Sequence, residues 1–467
     1  MISVRQNKAF ALVFSLIFLS LIISFVAVYS MAIASGFIMS NRAANEIKAY
    51  YTAEAGLADA YERIIQSPQN TTPPQTTVQF IPSASTDNGI YQTGTGQGNY
   101  SVSIVATYTP RINYTITSTG TYNNVSKTLQ LRMIGRVIST YAYWSQTEVN
   151  PQYGDLWWVG EPGLQYYTFG PVQTNGSLNI WGNPIFYGPV TEGGAAPNYQ
   201  GGTGSDPSKI WLGGLTNSAP LVDLPPQGIL NAISLVASNG GLVLTGKSTV
   251  LFNPDGTITV TGVVKNTSGT VIKTYNNSTI NPPANGAIYV QSNFVNGTSQ
   301  QDGNVTVQGT VNGQLTVAAD QNVYISGSVS YNSDPRINPS SKDLVGLVAN
   351  QNITIVEASA PAKLELSAVM VALQGSFQVD QYWVYRGDAN TAVMDQFGSL
   401  INYVCGVTGE IDWSGNLLGG WNQLQSYDNR LLNPGIAPPG FPPYVNNQGY
   451  GVYNKISVTE CTSGICG

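Results

Sequence analysis

The stretch FALVFSLIFLSLIISFVAVYSMAIASGFIMSNRAANEIKAYYTAEAGLADAYERII, Phe10 to Ile65, decides the fold. Between Lys8 and Arg42 lie 33 consecutive uncharged residues, and Phe10 to Met31 is almost wholly apolar. A bilayer takes about 20 such residues. Arg5 and Lys8 precede the run and no acid occurs before Glu46, so the positive-inside rule predicts a short cytoplasmic end with the rest of the chain outside. The second half continues with Ile47, Tyr50, Tyr51, Glu54, Leu57, Ala58, Tyr61, Ile64 and Ile65 at helical spacing. No proline interrupts before Pro68, and Gly36 and Gly56 are the only glycines. The spacing therefore predicts one helix over 10–65, roughly 80 Å long at about 1.5 Å per residue. Ala53, Ala55, Gly56, Ala58 and Ala60 are small enough for another helix to come close. Ala32-Ile33-Ala34 before Ser35 also satisfies the small-x-small rule of a secretory signal, the alternative reading of the same run.

Composition narrows the chemistry. The 467 residues include 19 basic and 25 acidic ones, a net charge of −6, and only 9 % are charged. There is no histidine, which removes imidazole bases, histidine-containing triads and histidine metal sites. Three cysteines are too few for a four-cysteine metal cluster, and the absence of a basic run excludes a phosphate-binding face for nucleic acid. No cofactor or metal is expected.

Beyond the helix the pattern is β. Residues 66–98 lack periodicity and read as a loop-rich connection. Tyr100, Val102, Ile104, Ala106 and Tyr108 alternate, as do Tyr114 and Ile116, then Leu129, Leu131 and Met133, which predicts a three- or four-stranded antiparallel sheet packed on the helix. Tryptophans 144, 157, 158, 181 and 211 then fall in a Gly/Pro-punctuated stretch. After it come short couplets: Ile288/Val290, Val305/Val307, Leu315/Val317, Val323/Ile325, Ile353/Ile355 and Leu364/Leu366. These suit stacked strands of a parallel β-helix or solenoid, with a β-sandwich as the alternative.

The basic leader, the apolar helix and Ala49-Tyr50-Tyr51-Thr52-Ala53-Glu54-Ala55-Gly56-Leu57 together resemble the N-terminal domain of PilX-like type IV pilins. The resemblance implies cleavage by a prepilin peptidase between Ala9 and Phe10, where the family usually has Gly before the cut. It also implies helix-to-helix assembly through Phe14, Tyr51, Glu54, Gly56 and Leu57, although Phe14 stands where most major pilins have Glu, which favours an accessory subunit. Gly170–Ile180 with Pro184–Thr191, Gly346–Asn350, and Gly398–Leu400 through Tyr427–Leu431 to Pro438–Pro442 are similar to blocks of a domain of unknown function appended to larger PilX-type proteins. Gln173 stands where relatives often have His.

Other candidates were weighed on their residues. Glu410/Asp412 or Asp155/Glu161 supply the paired carboxylates of a glycosidase, against a hydrogen-bonded turn. Trp157, Trp158, Tyr166, Tyr167, Trp181 and Tyr187 offer faces for sugar stacking, against ordinary packing. Asn253-Pro254-Asp255-Gly256 offers oxygen ligands for calcium, against a plain turn. Cys461 and Cys466 would close a short disulfide loop, with Cys405 paired to either tail cysteine as the competing option.

The expectation is an α+β chain: leader 1–9, transmembrane and amphipathic helix 10–65, antiparallel head 66–140, Gly/Trp-rich β domain 141–285, and a solenoid-like domain with C-terminal tail 286–467. Its function would be that of a minor pilin or pilus-associated adhesin, not an enzyme. It would sit in the inner membrane before assembly and at the cell surface after, with other pilin-like subunits, prepilin peptidase and a surface glycan as partners. The alternatives are an exported carbohydrate-active enzyme and a membrane-anchored envelope protein unrelated to pili.

Overall fold

A computed structural model describes residues 3–65, 87–93, 96–107, 113–135, 138–161, 164–201, 205–222, 229–295, 297–433, 436–441 and 453–461. One helix, α1, runs unbroken over Ser3–Ile65. It has two environments. Every residue from Phe10 to Ala44 is exposed, whereas Ala49, Thr52, Ala53, Gly56, Leu57, Ala60 and Ile64 are buried.

That buried face lies on an antiparallel sheet of β1 (Asp87–Thr93), β2 (Gly96–Thr107), β3 (Asn113–Tyr122) and β4 (Val125–Gly135). Val102, Ile104, Tyr114, Ile116, Leu129, Leu131 and Met133 form the inner side of this head. Each fully buried aliphatic side chain contributes roughly 1.5–3 kcal/mol. Part of the segment expected as a loop, 66–98, is therefore the hairpin of β1 with β2; residues 66–86 lie outside the described ones.

Only part of the expected stripe packs: Leu57 and Ile64 are buried in the head and Tyr50 and Tyr61 lie against its core. Ile47 and Tyr51 are 57 % and 55 % exposed, and the helix presents its small residues to the sheet instead. Gly120 sets this geometry: a Cβ there would stand 2.2 Å from the Ala53 nitrogen and 2.4 Å from the Ala49 carbonyl. Gly56 is equally confined, with Ser118 Oγ 2.3 Å from where its Cβ would be. Approach this close leaves room only for small side chains at Ala49, Thr52, Ala53 and Gly56, while Leu57 and Ile64 fill the wider end of the same face.

A fifth strand completes the head, and it comes from the far end of the chain. Tyr453–Cys461 pairs antiparallel with β4, Cys461 opposite Thr128 and Asn454 opposite Ile134. The C-terminal tail is thus a strand of the first sheet, and residues 136–452 are inserted between two adjacent strands of it.

The inserted body is mostly β, and its main ladders are parallel. One column carries the aligned residues Leu242, Ile288, Val317, Leu347, Met370 and Leu400, each paired with the next. The column then continues with the earliest part of the body: Leu400 pairs with Tyr143, Tyr143 with Val172, Val172 with Val190, and Val190 with Leu215. The chain enters the column in its middle, runs outward to Leu215, crosses to the opposite end at Leu242, and returns to meet its own entry strand. Antiparallel strands Ile258–Lys265 and Val271–Ile280 extend the Leu242 end, beside a helix, α2 (Ile229–Ser238).

The expected boundary at 285/286 is therefore no break in the sheet, since Leu242–Thr245 pairs with Ile288–Gln291 across it. A second column joins Ser248–Phe252, Val305–Gly309, Val323–Ile325, Ile353–Ile355 and Phe377–Val379. Side-chain and backbone hydrogen bonds close the point where outgoing and returning runs meet. Leu400 N donates to Ala142 O (2.9 Å), Gln425 Nε2 to the same carbonyl (2.9 Å), Ser399 Oγ to Tyr141 O (2.6 Å) and Tyr427 OH to Ser139 O (2.9 Å).

Candidate functional site

The meeting of the two runs leaves a cavity of about 210 Å³. One wall comes from the outgoing run with Trp157, Trp158 and Tyr166; the other comes from the returning run with Cys405, Trp421 and Asn422. Trp158 sits in a four-stranded sheet with Asn179–Gly182 and is fixed from three sides. Its ring meets Tyr143, Tyr166 and Phe186 at 4.9, 4.7 and 5.1 Å, and its Nε1 donates to Glu148 Oε2 at 3.2 Å. No Asp, Glu, Lys or Arg is among the described residues lining the cavity.

A buried polar ladder stands beside it. Two residues along from the apolar ladder, the aligned positions read Leu244, Val290, Ala319, Ala349 and Ala372, then change to Asn402, Ser145, Thr174 and Glu192. These last four are at most 1 % exposed. Ser145 Oγ donates to Thr174 Oγ1 at 2.8 Å and also bonds Glu148, and Tyr143 OH donates to Glu148 Oε1 at 3.0 Å. Glu192 Oε2 accepts from Leu178 N at 3.1 Å, while its Oε1 is buried without a partner.

Burial sets the protonation here. It raises the Glu148 carboxyl above its ordinary range against the hydrogen bonds from Ser145, Trp158 and Tyr143, and it pushes Glu192 up to about 7. The Cys405 thiol is raised well above its usual value, first by burial and then by Glu148. A thiol held protonated is a weak nucleophile. The cluster is a hydrogen-bonded acid network, equipped to hold protons more than to attack a substrate.

No family model matches the chain, and no curated protein matches it. The chain is similar in structure to the competence-associated pilin ComZ from Thermus thermophilus. The identity is 13 %, the TM-score is 0.31, and the match covers 89 % of this chain and 97 % of that one.

The candidates from sequence distribute as follows. Trp157, Trp158 and Tyr166 line the cavity, and Trp181 packs behind Trp157 at 5.9 Å. Tyr167 and Tyr187 belong to a separate patch, where Tyr187 stacks on Phe169 at 4.4 Å. Glu410 and Asp412 do not form a facing pair: Glu410 is exposed on a hairpin strand and Asp412 sits in its turn. Asp412 accepts from Ser414 N (2.8 Å), Asn416 N (2.9 Å) and Asn416 Nδ2 (2.9 Å), and the bonds from Asn416 hold its carboxyl below the usual range. Asp155 is exposed while Glu161 is 2 % exposed, so the two carboxyls have unlike surroundings.

Asp255 likewise closes a turn through Thr257, and no group of three or more metal-ligating side chains occurs among the described residues. Gln173, buried, donates Nε2 to Thr174 O at 3.0 Å and accepts from Thr191 Oγ1. Of the helix positions, Phe14, Tyr51 and Glu54 are exposed, while Gly56 and Leu57 are buried on the chain's own sheet and so face the head, not a neighbouring helix. Phe10 is 72 % exposed, and the side chain of Ala9 lies outside the described residues. Cys405 is a free thiol and Cys461 is disulfide-bonded; Cys466 lies outside the described residues. Sequence reasoning missed Glu148 and Glu192: Tyr143, Ser145 and Trp158 lie within ten positions of Glu148 but no polar pattern marks them as its partners, and Glu192 joins the ladder only through strands that no local pattern links.

Proposed function

We propose that the chain is a pilin-type structural subunit of the PilX kind, an accessory pilin or adhesin that carries a large β body outside the inner membrane and, once assembled, at the cell surface. The observation that carries this is the division of α1. Its Phe10–Ala44 portion is exposed throughout, while Ala49–Ile64 is clamped on a five-stranded sheet. An apolar helix exposed over this length requires lipid or other helices around it. In this reading the exposed half rests in the membrane, is trimmed by prepilin peptidase between Ala9 and Phe10, and then packs among equivalent helices of other subunits through side chains such as Phe14. Tyr51 and Glu54 lie on the outer side of the clamped half and extend that contact surface.

The insertion supports display. Both ends of the body are anchored in one head sheet, through β4 and Tyr453–Cys461, so the body stands on two covalent connections. We read its parallel columns as a solenoid, a stiff form for projecting a surface. Of the acid pair on the Gly409–Gly420 hairpin, Asp412 is tied into the turn by Asn416, which favours display over hydrolysis. A photo-crosslinking residue at Phe25, 76 % exposed, tests the assembly reading: it should capture a second apolar helix in the membrane fraction, while the same probe at Ile116, fully buried in the head, should capture none. Absence of capture from Phe25 and its neighbours along the exposed half contradicts it.

A further inference from the structure

The mouth of the cavity carries aromatic surface that the fold does not use. Trp413, at the tip of the Gly409–Gly420 hairpin, is 83 % exposed, and Trp383, which packs its backbone against Gly419 of that hairpin, is 54 % exposed. The first continues a run of rings inward: Trp413 meets Trp181 at 5.5 Å, Trp181 meets Trp157 at 5.9 Å, and Trp157 lines the cavity. The second meets Tyr382 at 5.2 Å, and Tyr382 meets Tyr153 at 5.4 Å. Exposed indoles contribute nothing to a core and carry a hydration cost, which makes them markers of contact surfaces.

Two buried polar atoms lack partners along this run, one in the cavity wall and one on the ring behind Trp157. Asn422, a lining residue, has an Oδ1 without a donor, and Trp181 has an Nε1 without an acceptor. Buried polar atoms are nearly always satisfied in folded proteins, so an unpaired acceptor in a cavity wall beside aromatic faces is set for a ligand that brings hydroxyl groups. Among the described residues the lining holds no Asp, Glu, Lys or Arg, which disfavours ions, phosphates and uronic acids. The volume, about 210 Å³, is below the ~300 Å³ at which pockets for drug-sized ligands begin, and is in scale with a single pyranose ring.

The geometry points to a binding site for a neutral oligosaccharide, one sugar ring entering the cavity between Trp157 and Trp421 near Asn422 and the next rings running out over Trp181 and Trp413. A pyranose presents a C–H face that stacks on indole and an edge of hydroxyls that serve acceptors such as Asn422 Oδ1. This deepens the display reading, on which its biological meaning rests, but binding is a property of the cleft and is measured without assembly.

The test uses the full chain in micelles of a zwitterionic detergent that has no sugar headgroup. Intrinsic tryptophan fluorescence and calorimetry follow titration with neutral hexasaccharides of glucose, mannose, galactose and N-acetylglucosamine, with hexagalacturonate as the charged control. At least one neutral saccharide should give saturable binding, weakened tenfold or more by Trp413→Ala, with Trp383→Ala as a second probe and unchanged melting temperatures in both. Saturable binding of the uronate alone, of no saccharide, or undiminished binding by both variants overturns the proposal. Loss of filament or membrane location with binding intact would refute the display reading and leave this one standing.

Discussion

Glu192 should make the body less stable as pH rises. Its carboxyl is fully buried, bonded on one oxygen by Leu178 N and unpaired on the other, and its pKa is raised from 4.5 to about 7 by burial. Between those two values the folded chain keeps a proton that the unfolded chain has released, so stability is full below about pH 4.5, falls through the window, and reaches its floor above about pH 7. At about 1.4 kcal/mol per tenfold change, the loss is about 3 kcal/mol, a melting-temperature change of a few degrees in a body of this size. Glu148 adds in the same direction, being raised as well. Glu192→Gln is the perturbation, since glutamine has the shape of the neutral acid, keeps the acceptor for Leu178 N and cannot ionise. Thermal unfolding of wild type and variant from pH 4 to 9 should show similar stability at the acid end and a more stable variant at pH 8. Parallel curves at every pH would mean that ionisation of Glu192 is not linked to folding.

Replacing Gly120 by valine should separate α1 from the head, because even a Cβ meets Ala53 N at 2.2 Å; overpacking of this kind costs about 1–3 kcal/mol or more, read as faster proteolysis within Ala49–Ile64. Arg430→Ala should cost about 3–5 kcal/mol, since it strands Asp428, 1 % exposed, and frees the Ser341 and Asp343 carbonyls; urea unfolding of the two chains measures it. Deleting Tyr453–Cys461 should uncover the edge of β4 and promote association, visible by light scattering of detergent-solubilised chain. Glu410→Ala should change stability by less than about 0.5 kcal/mol, because the residue is exposed on a hairpin strand.

The helix was legible because a long uncharged run leaves few alternatives, but the face it turns to the head was not. Helical periodicity picks out Leu57 and Ile64, which are buried, but equally Ile47 and Tyr51, which are not; the contact at Ala49 and Ala53 was decided by Gly120 on a strand about seventy positions away, which admits only small side chains there. The couplets Ile288/Val290, Val305/Val307 and Ile353/Ile355 were readable as buried steps, and all six side chains are fully buried. Their stacking order was hidden. Pairing of Tyr143 with Leu400, and of Thr128 with Cys461, depends on where distant chain segments return, and period-2 patterns carry no such information. The aromatic wall of the cavity was visible as residue types in Trp157 and Trp158, but Trp421 and Asn422 join it only through that return. Ser145, Thr174, Asn402 and Glu192 look like ordinary polar residues in their own strands and become one ladder only when four strands align.

Phe10 and the exposed half of α1 should remain with the mature protein, sheltered by lipid or by other subunits' helices. N-terminal sequencing of the chain recovered from membranes and from sheared surface filaments tests it most directly. A sequence beginning Phe10-Ala11-Leu12 is the predicted result; a freely soluble protein beginning at Ser35 would contradict it.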